Sequence, residues 1–166
     1  MCSSDLEALR TGRADLALVG LPGEAPDGLD AHVLVDEELV LACSPDHELA
    51  SRSTCSLDGL RDQVLISLPR GTGLRTALDT ACAARGFQPH IAFEASRPAT
   101  LAHLAARGLG LAVLPAPAAR YYASELHAIA MRPRLRSRIV LAWRSEGTIS
   151  PAARTLVAHA RRTLGG

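Results

Sequence analysis

Apolar and polar positions alternate along this chain in a way that divides it into short buried strands and amphipathic helices. Leu6 and Leu9, followed by Thr11-Gly12, read as the last turns of a helix with its terminal glycine. Asp15 to Gly20, DLALVG, predicts a strand whose nearly unbroken apolar run suits a sheet covered on both faces. Ala31 to Val35 predicts another, Asp36-Glu37-Glu38 interrupts it, and Leu39 to Cys43 resumes it, which suggests one extended path crossing between two lobes. Ser56 to Leu60 predicts a short capped turn. Val64 to Leu68 predicts a strand that runs into Pro69-Arg70-Gly71-Thr72-Gly73. Beyond that loop Leu74, Ala77, Leu78, Ala81 and Cys82 recur at the spacing of one helical face, until Gly86 and Pro89 end the run.

The segment from Ile91 to Pro115 is the best patterned. Ile91 to Ala95 suits a buried strand. Ser96-Arg97-Pro98 offers a capping hydroxyl and a proline at a first helical turn, where its missing N–H costs nothing. Leu101, Leu104 and Ala105 then keep helical spacing, Gly108 stops the helix, and Gly110 to Leu114 predicts the next strand. Strand, helix and strand with such short connections predict a βαβ unit with a right-handed crossover. Ligands collect at the carboxyl edge of such units, which here holds Glu94, Ser96 and Arg97. After Pro115 follow an Ala-rich turn with Tyr121 and Tyr122, an irregular basic stretch through Arg132, Arg134, Arg136 and Arg138, and a strand over Ile139 to Trp143. A last helix starts at Ser150-Pro151 and carries Leu156, Val157, Ala160 and Leu164 on one face.

Composition narrows the class. Apolar residues make up 48% of the 166, dominated by Ala, Leu and Val, so the chain can build a globular α/β core of one domain or two small lobes. A net charge of +1 provides no field for nucleic acid or an anionic membrane surface. No apolar run approaches the roughly 18 to 20 residues of a membrane span, and no secretory leader pattern opens the chain, which points to the cytoplasm. The 4 cysteines, Cys2, Cys43, Cys55 and Cys82, are widely spaced and read as reduced, mostly buried thiols.

The candidate chemistry is ligand binding. Gly71-Thr72-Gly73 follows a strand and opens a helix, but GxGxxG is broken by Thr76 and GxxxxGK[ST] is absent, so no nucleotide cofactor is expected. The loop reads either as a tight strand-to-helix turn or as a helix start that offers N–H groups to a small anion beside Arg70 and Thr72. His32, His47, His90, His103, His127 and His159 show no metal-ligand spacing, and no catalytic motif is present. Arg70 and Arg97 each follow a strand and precede a helix. They are either surface cations or a pair suited to a carboxylate.

Taken in order, LEALRTGRADLALVG, LVDEELVLACSPDHELA, LRDQVLISLPRGTGLRTALDTACAARGFQPHIAFEASRPATLAHLAARGLGLAVLP and IVLAWRSEGTISPAARTLVAHARRTL resemble the effector-binding domain of LysR-type transcriptional regulators, over nearly the whole chain from Leu6. The resemblance implies two Rossmann-like α/β lobes of the type 2 periplasmic-binding-protein kind. Residues 1–38 and 134–166 would form lobe I and residues 39–133 lobe II. It implies a small-molecule inducer, a carboxylate by the two arginines, in the cleft between them. Gly20, Leu21 and Pro22 would line it from lobe I. Leu68, Pro69, Arg70, Gly71, Thr72, Glu94, Ser96, Arg97 and Pro115 would line it from lobe II. No cofactor, metal or catalytic residue is implied.

In the family such domains pair antiparallel as homodimers or tetramers, and DNA is bound through an N-terminal winged helix-turn-helix. That domain and the first lobe I strand are expected to be missing here, so lobe I is expected to be incomplete and lobe II the better ordered. Cys2 to Leu6 also matches the translation of a common sequencing-adaptor stretch, which adds the expectation of an artificial beginning. A solute-binding module of a transport system and a small α/β enzyme are the alternatives.

Overall fold

The computed structural model describes residues 2–21 and 23–163, so the expectations on Pro22 and Leu164 lie outside the described residues. The chain runs α1 (Cys2–Arg10), β1 (Ala17–Leu21), β2 (Leu29–Cys43), β3 (Thr54–Ser56), a 3-10 turn (Leu57–Leu60), β4 (Leu65–Ser67), α2 (Gly73–Ala83), β5 (Ile91–Glu94), α3 (Pro98–Ala106), β6 (Leu111–Pro115), α4 (Ala116–Tyr121), β7 (His127–Arg144) and α5 (Pro151–Thr163). One sheet has the order β1-β7-β2-β6-β4-β5, with β3 joined in parallel to β7. Its two long members, β2 and β7, pair antiparallel from Leu29 opposite Arg144 to Cys43 opposite His127. Both therefore pass through every layer of the molecule.

At one end of these strands the sheet continues into β6, β4 and β5, the last three mutually parallel as the βαβ pattern requires. Strand alternation sorts its core onto two faces. Leu39, Leu41, Cys43, Leu111 and Val113 pack against Leu74, Leu78 and Cys82 of α2. Val40, Ala42, Ala112 and Leu114 pack against Leu101, Ala102 and Ala105 of α3. Both faces are apolar because both are covered, which is why these strands read as continuous apolar runs.

At the other end β1 pairs with β7, Ala17 opposite Ala142 through Leu21 opposite Arg138. Leu9 of α1 is packed with Val19, Leu21, Leu29, Val140 and Ala142 on one face. Val157 and Ala160 of α5 cover Leu141 and Trp143 on the other. Arg144 ties these parts together. It donates to the carbonyls of Leu9 at 2.7 Å and Ala14 at 3.2 Å and pairs with Asp15 at 3.4 Å, while Asp15 accepts the Ser150 N–H that precedes α5. A hydroxyl bond from Ser150 and that N–H hold the Asp15 carboxyl below its ordinary value, with Arg144 adding to the effect.

Four expectations are corrected. The basic stretch is not irregular: Arg132, Arg134, Arg136 and Arg138 lie within β7, because acidic residues of β2 and the strand β3 supply partners that the local pattern does not show. Ile91 to Glu94 is not buried but the outer edge of the sheet, with Phe93 40% exposed. Ser96 does not cap α3. The cap position is Arg97, without a side-chain hydrogen bond, and Pro98 opens the helix. The Ala-rich turn after Pro115 is the short helix α4.

Candidate functional site

The crossing strands set the geometry of the site. Between Val35 and Leu39 on β2 and between Leu135 and Ile139 on β7, the two strands form a ribbon joining the two halves of the sheet. Pleating places successive side chains on opposite faces. One face carries ion pairs: the Asp36 carboxylate accepts from Arg136 Nε at 2.7 Å and from Arg138 Nε at 3.1 Å, and Glu38 lies 3.6 Å from Arg134. The Arg136 hydrogen bond holds the Asp36 carboxyl below its ordinary value, against a burial effect that acts the other way. On the opposite face Glu37 stands across from Ser137, one of the positions between the alternating arginines.

That opposite face looks into a cavity of about 530 Å³. The end of β1 supplies Leu18, Val19 and Gly20, and the ribbon supplies Val35, Glu37, Ser137 and Ile139. The far wall is Leu68 at the end of β4, then Thr72, Gly73 and Leu74 at the amino end of α2, with Pro98 and Pro115 beside them. The surface is mainly apolar, and Leu18 and Ile139 are 64% and 43% exposed because they face this opening. The Thr72 hydroxyl accepts from Arg75 N and donates to the Pro69 carbonyl at 2.9 Å, which fixes the loop and the start of α2.

The walls meet at two glycines. A methyl at Gly20 would stand 2.4 Å from Gly73 N and 2.6 Å from Gly73 Cα, and one at Gly73 would stand 2.9 Å from Gly20 Cα. Any side chain at either position would hold β1 and α2 apart. The sequence reading of Gly71-Thr72-Gly73 left a tight turn and an anion loop open. Its geometry is a tight turn, with Gly71 at φ +89° and Gly73 carrying the close approach, and it leaves the start of α2 facing the cavity.

Of the residues expected at the cleft, Gly20, Leu68, Thr72 and Pro115 line this cavity together. Leu21 is turned to the opposite face and buried beside Leu9 and Val19. Arg70 lines a separate hollow of about 220 Å³ with Arg75, Asp79 and Gln88. Glu94 is held by Arg75, and Ser96 and Arg97 are exposed at the sheet edge. Pro69 and Gly71 belong to the loop that carries Thr72 into position. The sequence reading missed Leu18, Val35, Ser137 and Ile139, and it noted Glu37 only as part of the acidic triplet that interrupts the apolar pattern. It also missed Arg75, 4% exposed, whose guanidinium bridges Asp79 at 2.9 Å and Glu94. The signal for Arg75 was its place in the helix: on the apolar face, four residues before Asp79.

Cys43, Cys55 and Cys82 are unsuited to redox chemistry. They are buried, and burial raises all three thiol pKa values, that of Cys82 to about 11, so the reactive thiolate is scarce. Among the described residues no cluster of His, Cys, Asp or Glu could hold a metal ion, and no helix is long and apolar enough to cross a membrane.

A cavity lined from β1, the two crossing strands and the amino end of α2 has the size to hold a small molecule. Comparison with known proteins gives the family. The family model described as the LysR substrate binding domain matches residues 2–165, and the chain belongs to that family. It is 28% identical over 160 residues to YwbI, an uncharacterized HTH-type transcriptional regulator of Bacillus subtilis (strain 168), covering 95% of this chain and 53% of that protein. It is 34% identical over 144 residues to a probable hydrogen peroxide-inducible genes activator of Mycobacterium avium, covering 84% of this chain and 46% of that protein. The chain thus spans about half the length of these curated relatives. Among solved structures, the effector-binding domain of QuiR in complex with shikimate superposes with a TM-score of 0.75 at 23% identity, over 97% of this chain and 77% of that one. The fold is that of LysR regulatory domains, resembling type 2 periplasmic binding proteins, and these relatives are regulators rather than enzymes.

Proposed function

We propose that this chain senses a small carboxylate-bearing effector in the cavity between two lobes, residues 1–38 with 134–166 and residues 39–133, and reports binding by a change in their relative orientation. The observation that carries the reading is the convergence of β1, the crossing ribbon and the amino end of α2 on one cavity of about 530 Å³, a size suited to a small molecule. The partial positive charge at the start of α2 favours an anionic group there. The shikimate held by the QuiR domain is itself a carboxylate. A ligand touching both walls would favour the arrangement that brings them together, which is a population shift.

In the longer regulator this reading implies, the domain pairs as a homodimer or tetramer, DNA is bound through a helix-turn-helix preceding it, and the protein works in the cytoplasm without a membrane. Peroxide sensing through the described thiols is disfavoured by their burial and raised pKa values. The test is a thermal-shift screen of aliphatic and aromatic carboxylates against their neutral amides. Stabilisation by an acid and not by its amide is expected. Stabilisation by neutral compounds alone would overturn the carboxylate reading.

A further inference from the structure

The cleft contains one charge that the fold leaves unbalanced. Glu37 is half-buried, and its side chain has no hydrogen bond or ion pair among the described residues. Its neighbours differ: Asp36 has Arg136 and Arg138, and Glu38 has Arg134. The cause is register. Arginines at every second position of β7 serve the other face, whereas Ser137 occupies the position opposite Glu37. Among the described residues lining the cavity, Glu37 is the only charged one.

We infer that Glu37 is a specificity-determining residue that selects an effector bearing a cationic nitrogen as well as the carboxylate, that is, a zwitterion of the amino-acid kind with an apolar body. The inference rests on the cleft reading above and sharpens it. A ligand filling an apolar cavity strips water from whatever lines it. A carboxylate deprived of water without a partner costs more than a neutral group would, so a ligand lacking a donor is penalised as well as unrewarded. An ammonium group answers a full negative charge with a charge-assisted bond, and Ser137 alongside can accept a second N–H. The carboxylate faces the start of α2 and the ammonium, on the same carbon, faces Glu37 on the ribbon.

The test compares three compounds on each of two apolar bodies, with the full chain isotopically labelled for NMR. The amino acids are L-leucine and L-phenylalanine. The des-amino acids are 4-methylpentanoate and 3-phenylpropanoate, and the amines are isoamylamine and 2-phenylethylamine. At least one amino acid is expected to move the amide signals of Gly20, Gly73 and Ile139 and to bind about tenfold or more tightly than its des-amino acid, the size of a hydrogen bond to a charged group. In Glu37→Gln that preference should collapse to about twofold or less. Glu38→Gln, which removes a neighbouring charge from the other face, should keep it.

A des-amino acid that binds as tightly as its amino acid would overturn the inference and leave the carboxylate cleft standing. So would a preference that survives in Glu37→Gln or is equally lost in Glu38→Gln. An amine that binds where neither acid does would sink the carboxylate pole and retain Glu37. If no compound on either body moves the cleft signals, the inference fails together with the cleft reading. A denaturation midpoint for each variant separates lost binding from lost folding.

Discussion

Replacing Gly20 by alanine tests whether the two walls of the cleft meet as described. The new methyl would lie 2.4 Å from Gly73 N and 2.6 Å from Gly73 Cα, about 1 Å inside the 3.4 Å at which ordinary contact begins. Both obstacles are backbone atoms, so no side-chain rotation relieves them, and β1 must move away from α2. Overpacking of this kind costs about 1–3 kcal/mol. Alanine in a strand regains about 0.5–1 kcal/mol of the entropy that glycine loses on folding. The expected net loss is therefore about 0–2.5 kcal/mol in urea unfolding, together with weaker binding of any ligand that touches both walls.

Gly73→Ala should act in the same direction, since its methyl meets Gly20 Cα at 2.9 Å and the Arg138 carbonyl at 3.3 Å. Because each methyl pushes the same two segments apart, the double variant should lose less than the sum, with a coupling of about 0.5 kcal/mol or more. Gly23→Ala, where nothing lies within 4 Å, is the control and should stay within about 0.5 kcal/mol of wild type. A Gly20→Ala protein as stable as wild type, with additive effects in the double variant, would refute the contact.

Other perturbations reach different parts of the fold. Arg75→Leu removes a guanidinium that is 4% exposed and shared by two partly exposed carboxylates; a loss of about 2–3 kcal/mol is expected in chemical denaturation. Asp36 is held below its ordinary value by Arg136, so its contribution is present above the unfolded carboxyl value near about 4 and is lost as acid titrates the folded form. The advantage of wild type over Asp36→Asn in urea midpoint should be constant from about pH 5 to 7 and shrink steadily below about pH 4. Cys43, Cys55 and Cys82 should resist maleimide labelling at neutral pH in the native protein and react once it is unfolded, as read by mass spectrometry. In hydrogen exchange β6, which lies between β2 and β4, should be better protected than β1, which pairs only with β7 among the described residues. Equal protection would count against β1 being an edge.

The parts of the fold that were legible in sequence are those stated by local pattern. DLALVG, the Leu74–Cys82 face and the Leu101–Ala105 face each carry their periodicity within a few residues, and they became β1, α2 and α3. β7 was half-legible, because Arg132 to Arg138 pairs with β3 and with acids about 100 residues earlier, which no local window contains. The site was legible by edge but not by face. Position after a strand correctly suggests which end of the sheet a residue occupies, yet Arg70 and Thr72, two residues apart, line different hollows. Glu94 was read as a cleft group, and its pairing with Arg75, which is hidden on an apolar helix face, was not legible. Glu37 stood out only once the register showed Ser137, not an arginine, across from it.

The pairing of β1 with the distant end of β7 also governs the order in which the molecule can assemble during synthesis. Ala17 is made 125 residues (142 − 17) before its partner Ala142. The first half of β2 waits likewise, since Leu29 to Val35 faces Arg144 to Ile139. In contrast, Leu39 to Ala42 can meet Pro115 to Ala112, and β4 can meet β5 and β6, before any of β7 exists. The half of the protein built from the middle of the chain can thus close first, while the segment translated before it stays open with Val19 and Leu29, which later pack with Val140 and Ala142, uncovered. That waiting segment is where a chaperone would find its hold.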